Sequence, residues 1–187
     1  MSIATLDPTT ALVIIDLQKG IAAYPTIQPL AEVVGHAADL ARAFREQGLP
    51  VVLVNVAGGA PGRTEQARRT GELPPEALDL LPELCQDPQD IVITKRSWGA
   101  FTSTGLEQEL RRRGVTQIVL AGVSTSIGVD TTARQAFDLG FNVTLAVDAM
   151  TDTSAEAHTN SVDRIFPRLG ETGTVAEIVA LLDRAGA

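Results

Sequence analysis

Asp16, Lys95 and the hydroxyls Ser124, Thr125 and Ser126 are the residues of this chain whose types and settings suit chemistry. Asp16 follows Val-Ile-Ile and precedes Leu17. A carboxylate among such neighbours is partly desolvated, which raises its pKa unless a cation lies near. Lys95 closes another apolar run, Ile91-Val-Ile-Thr, and is a candidate for that cation. Together they would form a pair suited to proton transfer. A structural salt bridge or a loop cap would account for the same two residues. The third feature is Gly122-Val-Ser-Thr-Ser-Ile-Gly128. At the start of a helix its backbone amides would face an anion or oxyanion. A serine nucleophile is not supported, because Gly-x-Ser-x-Gly is incomplete. Ser126 has Gly128 after it but Ser124 before it, and Ser124 has Gly122 before it but Ser126 after it. The hydroxyls read better as helix caps and substrate hydrogen-bond partners.

Other residues have two readings. Trp98 and Phe101 follow Lys95 and would either wall a pocket or pack in the core. His36 and His158 stand alone in helical patterns, without His or Cys at metal-ligand spacing, so surface positions are expected. Cys85 precedes Gln-Asp-Pro in a turn and gives no sign of catalysis.

The elements that must hold these residues alternate. Residues 11–17 and 51–56 are short apolar, β-branched runs of the kind buried on both sheet faces. Three further strands are read at 90–95, 117–122 and 142–147, and a short one near 172–175. Leu30, Val33, Val34, Ala37, Ala41 and Phe44 recur at helical spacing, and Gly48 ends that helix. Thr104 with Glu107, Thr153 with Glu156 and Thr174 with Glu177 have capping-box spacing. Residues 57–89 hold many glycines and prolines and read as a surface excursion with one short helix. Alternating strands and helices imply a parallel sheet covered on both faces. Ligands of such sheets bind at the carboxyl ends of the strands, where Asp16, Lys95 and the 122–128 segment are expected to meet.

Composition sets the limits. At 187 residues the chain suits one domain, 1–187. A net charge of -8 argues against nucleic-acid and anionic-membrane partners. Arg111, Arg112 and Arg113 form the strongest basic cluster and fit a helix C-terminus. The single cysteine allows no internal disulfide, no signal-peptide pattern opens the chain, and no apolar run is long enough to span a bilayer. A cytoplasmic protein is the expectation.

Several motifs, in order, carry a family likeness: Leu-Val-Ile-Ile-Asp16-Leu-Gln18, Thr-Lys95-Arg-Ser-Trp-Gly-Ala-Phe, Leu-Ala-Gly122-Val-Ser-Thr-Ser-Ile-Gly128-Val-Asp-Thr-Thr-Ala-Arg134, and Gly140-Phe-Asn-Val-Thr-Leu-Ala-Val-Asp148. Over about residues 10–182 the chain resembles the isochorismatase-like (cysteine) hydrolase superfamily. The resemblance implies a three-layer α/β/α sandwich around a six-stranded parallel sheet. It implies that Asp16 and Lys95 occupy two positions of an Asp-Lys-Cys triad whose third position is Gly128. It implies a cis peptide between Val123 and Ser124, with amides near Ser124 and Gly128 forming an oxyanion hole. Gln18, beside Asp16 in the matching motif, joins Trp98, Phe101, Ser124 and Thr125 as a candidate substrate contact. A glycine cannot form the thioester used by the family's amidases, whereas its isochorismatase branch cleaves a vinyl ether with the Asp as proton donor. Nicotinamidases of the superfamily add a histidine metal site, but Asn55-Val-Ala-Gly offers no suitable His. No metal or other cofactor is expected. The partners implied are a small, carboxylated substrate and further copies of the chain, as a homodimer or homotetramer. Two alternatives stand beside acid–base hydrolysis: a ligand-binding protein without catalysis, and a hydrolase using Ser124 or Ser126 as substitute nucleophile.

Overall fold

A computed structural model describes residues 3–65 and 73–185. Six parallel strands, β1 (Thr10–Ile15), β2 (Val51–Val56), β3 (Ile91–Lys95), β4 (Gln117–Val123), β5 (Asn142–Thr151) and β6 (Glu171–Gly173), form one sheet in the order β3-β2-β1-β4-β5-β6. The helices are α1 (Leu30–Glu46), α2 (Leu106–Arg112), α3 (Asp130–Asp138), α4 (Ala155–Asn160) and α5 (Val175–Ala185). Every residue of β1 and β4 is buried, as apolar runs without alternation require. Alternate residues of the strands feed two cores. Leu12, Ile14, Leu53 and Val119 pack with α1 and α5, and Val13, Ile15, Val54, Ile118 and Leu120 pack with α2 and α3. This is the three-layer sandwich. Among the described residues no helix is long and apolar enough to cross a membrane.

Local chemistry sets the element ends. Gly48 has φ +66°, its amide bonds Arg45 O, and the Leu49 amide bonds Phe44 O, which stops α1 with a left-handed turn directly before β2. Of the three expected capping boxes only Thr174 with Glu177 forms, with a reciprocal pair of bonds. Ser154 rather than Thr153 caps α4 and accepts from the Ala157 amide. The Thr104 hydroxyl turns back to the Ala100 carbonyl, and Gly105 precedes α2. In both cases a neighbouring residue or carbonyl won the local competition for hydrogen bonds.

Two extents differ from the sequence reading. β5 runs to Thr151, not to 147, because its pairing with β4 shifts between Leu120 and Gly122 and then resumes. Asp148, which breaks the apolar run, sits inside this strand and accepts the Val175 amide at the start of α5. The excursion after β2 contains two single 3-10 turns, Pro75–Leu78 and Pro82–Leu84, and its residues 66–72 lie outside the described residues. The excursion folds over the carboxyl end of β1. Leu80 forms a bridge with Gln18, and the Lys19, Gly20 and Leu81 amides pair with Asp79, Ala77 and Leu17 carbonyls.

Arg111 and Arg112 end α2, and Arg112 and Arg113 pair with Glu109. The Arg111 guanidinium lies over the Phe141 ring, 4.1 Å from its centre.

Candidate active site

Asp16 leaves β1 at its carboxyl end with φ +54°, a left-handed conformation that aspartate adopts more readily than most residues. Its amide still bonds the Val54 carbonyl of β2. Lys95 ends β3, two strands away, and its stem crosses to Asp16. The ammonium lies 2.8 Å from Asp16 Oδ2, and both side chains are buried, Lys95 to 2% exposure. Lys95 Nζ also donates to the Trp98 carbonyl at 2.8 Å and to the Ser97 carbonyl at 3.3 Å. An ammonium has three N–H donors, so these partners use all of them. Lys95 holds the carboxylate and has no donor left for a ligand.

Asp16 Oδ1 is buried without a hydrogen-bond partner. Burial raises the Asp16 pKa from 3.8 to about 6, with Lys95 pulling in the opposite direction through its charge and its hydrogen bond. Desolvation wins because it acts on the whole carboxylate while Lys95 reaches one oxygen. The result is a carboxyl able to hold or release a proton near neutral pH, with one free oxygen.

The 124–128 segment completes the site. Gly122 has φ +113°, and a Cβ there would lie 2.1 Å from the Ile15 carbonyl oxygen, so only glycine lets β4 pass the end of β1. The Val123–Ser124 peptide is cis. A turn of π-helix, Thr125–Val129, then leads into α3. A Cβ built on Gly128 would lie 3.3 Å from Asp16 Oδ2, so position 128 looks directly at the carboxylate. The same Cβ would lie 2.9 Å from the Ile15 Cγ2 methyl, within a fully buried core. Gly128→Cys should therefore destabilise the protein by about 1–3 kcal/mol through overpacking. It should also fail to confer amide hydrolysis. Denaturant unfolding and an amidase assay check both; wild-type stability would show that Ile15 moves aside freely.

The remaining candidate residues divide. Gln18 is fully buried, and its side-chain amide is used by the Val56 amide, the Val56 carbonyl and the Ala77 carbonyl. It ties β1 to β2 and to the excursion. Trp98 presents its carbonyl to Lys95, and the residue is 62% exposed, so it does not pack in the core. Phe101 stacks on Phe141 with centroids 5.9 Å apart. The Ser124 carbonyl accepts from the Ile127 and Val129 amides. Thr125 is fully buried, with its hydroxyl 2.9 Å from His158 Nδ1. Ser126 gives both its amide and its hydroxyl to Asp152 Oδ2, at 2.8 Å each. That amide is therefore satisfied by the protein's own carboxylate. Among the described residues no group of three or more His, Cys, Asp or Glu side chains is placed to hold a metal ion. Cys85 is exposed in a turn.

Two residues escaped the sequence reading. Asp152 follows the true end of β5, so the strand-end rule that picked out Asp16 would have found it had the strand been read to 151. His158, expected on the surface, is half-buried against Thr125, and burial lowers its pKa despite the nearby Asp152 and Asp163. His36 is also half-buried and pairs with the Asp148 carbonyl at 2.7 Å. Neither histidine had a sequence partner to announce these contacts.

Comparison with known proteins gives a consistent result. The isochorismatase domain model matches residues 10–177. An uncharacterized isochorismatase family protein, YecD of Escherichia coli O157:H7, is 46% identical over 93% of this chain and 96% of its own length. An isochorismatase family protein from Burkholderia thailandensis superposes with a TM-score of 0.94 at 43% identity, covering 97% of this chain and all of that one. The ureidoacrylate amidohydrolase RutB of Methylobacterium radiotolerans is 28% identical over 95% of this chain and 81% of its own. The family model covers most of the chain and these relatives match it nearly end to end, and the chain belongs to the isochorismatase family.

Proposed function

We propose that this protein hydrolyses a small, carboxylated enol ether by proton transfer through Asp16, with no covalent protein intermediate. The observation that carries the reading is the buried, unpartnered Asp16 Oδ1, on a carboxylate whose Lys95-bound oxygen faces a residue with no side chain, Gly128. Protonated Asp16 gives its proton to the terminal vinyl carbon, and the charge appears on the adjacent ether-bearing carbon. Water adds there and loses a proton, and the hemiketal collapses to a ketone and an alcohol. Water is the nucleophile, so position 128 needs no thiol. Lys95 stabilises the carboxylate left after proton transfer. Backbone groups of the 124–128 turn, other than the Ser126 amide, border the reacting group.

A substitute serine nucleophile has less support. Ser126 donates to a carboxylate whose oxygens already receive the Ser126, Thr153 and Ser154 amides, and no histidine adjoins its hydroxyl in the network. Among the described residues, the histidine contact in this turn is made by Thr125.

The test is incubation with isochorismate, following release of the enolpyruvyl group as pyruvate. Because Asp16 acts in its protonated form, kcat/KM should fall as pH rises through about 6, the value to which burial pushes this carboxyl. No pyruvate from isochorismate or related vinyl ethers would overturn the substrate class. A rate that rises with pH through this range would overturn the acid role.

A further inference from the structure

Two side chains from the end of β5 and from α4 reach the 124–128 turn. Asp152, 2% exposed, uses its two carboxylate oxygens differently. Oδ1 accepts from the Thr153 and Ser154 amides of its own turn. Oδ2 crosses to another element and accepts from the Ser126 amide and hydroxyl. His158 pairs with the hydroxyl of the adjacent Thr125. On its other side Asp152 reaches the segment that begins at Asp16, since its carbonyl accepts from the Ile27 amide at 2.9 Å. Next to it, Thr151 bonds the Gln28 side chain. A cap for the 152–154 turn would need Oδ1 alone, and α4 already has Ser154 as its own cap.

From this we propose that Asp152 and His158 are positioning residues that hold the 124–128 turn against Asp16 and so set the space in which a substrate meets that carboxyl. The proposal rests on Asp16 as the reacting group. The mechanical link is short. Thr125 and Ser126 lie two or three residues before Gly128, whose backbone stands against the Asp16 carboxylate, and Thr132 fixes the Gly128 carbonyl from α3 at 2.6 Å. Asp152 suits this task because a charged acceptor takes an amide and a hydroxyl together. An asparagine in its place offers one oxygen and an NH2 group, so one of the two sides must lose its bond. His158 adds a second tie, one residue away, which fixes the turn in direction as well as in distance.

The test reads Asp16 itself and needs no substrate. The Asp16 carboxyl is titrated by carbon-13 NMR, and amide hydrogen exchange is followed over 124–129, in the wild-type protein and in Asp152→Asn, Ser126→Ala and His158→Gln. If the turn is held by these residues, Asp152→Asn speeds exchange there. Water then reaches Asp16, and its midpoint falls by about half a pH unit or more, because the burial that raised it is reduced. Ser126→Ala keeps the amide bond to Asp152 and should shift in the same direction by less. His158→Gln should do likewise. Folded Asp152→Asn with a wild-type Asp16 midpoint and wild-type exchange would overturn the proposal and leave Asp152 a turn cap. Should that variant not fold, Ser126→Ala and His158→Gln decide, and unchanged midpoints in both overturn it. Failure to cleave isochorismate would count against the substrate reading and leave these titrations as they stand.

Discussion

Asp16→Asn should lower turnover by about 10³-fold, since removing a positioned general acid typically costs between 10² and 10⁴. The side chain keeps its size and an acceptor for Lys95, so the change isolates the proton. The residual rate should lose its dependence on pH near 6. The buried Lys95 ammonium is left facing a neutral partner, but the fold already favours a neutral group at this position, so any loss of stability relative to wild type should be smaller above about pH 6 than near pH 4. The two Lys95 bonds to the Ser97 and Trp98 carbonyls remain and moderate that cost. Kinetics with folded protein, checked by thermal unfolding, make the measurement. A variant with wild-type kcat/KM would remove Asp16 from the mechanism.

Lys95→Met has the second large effect, and its sign depends on pH. Both influences that lower the Asp16 pKa come from Lys95, so without it the carboxyl titrates above about 6. The folded protein holds this proton more tightly than the unfolded chain, where the value is the ordinary 3.8. Such a group contributes stability that is complete below the unfolded value and is lost as pH rises through the folded value. In the wild type that loss falls between about 3.8 and 6 and is on the order of 3 kcal/mol. In Lys95→Met the loss continues to higher pH. The variant should therefore be closest to wild type near pH 4 and fall further behind above pH 6, on top of a pH-independent penalty of about 1–3 kcal/mol for each carbonyl left without its donor. If it retains measurable turnover, the midpoint of its pH–rate profile should move upward. Chemical denaturation at a series of pH values tests the first claim, and a constant gap between variant and wild type would refute it. A purely ligand-binding protein would show the stability effect and no turnover at any pH.

Much of the sheet was legible because buried parallel strands are written as apolar runs, as β1, β2 and β4 are, and the edge strand β3, with Val92 and Thr94 exposed, still opens on Ile-Val-Ile. The rest was hidden for definite reasons. β5 carries Asp148 in mid-strand, a polar residue that reads as a strand end until its bond to α5 is known. Thr104 and Thr153 satisfy a spacing rule that neighbouring atoms override. At the site, Asp16 and Lys95 were visible because each is a charge at the end of an apolar run. Asp152 was concealed by the misread end of β5, and His158 by lying in a short helix whose partner is far away in sequence. Gln18 stood in the right motif, yet its amide is taken up by backbone that only the folded excursion brings to it.

The contact between Ile15 and position 128 also bears on redesign of the site. With glycine at 128 the core packs close to the backbone, and the Ile15 Cγ2 methyl stands 2.9 Å from where a β-carbon would lie. Placing a thiol at 128 without strain would then take more than one substitution, and order would matter. A change that makes room at residue 15, made first or together with the cysteine, would avoid the overpacking that the cysteine alone meets. That first step offers no catalytic advantage while 128 is still glycine. Steric closure therefore works against a one-step introduction of thiol chemistry at this position, even where an amide substrate would reward it.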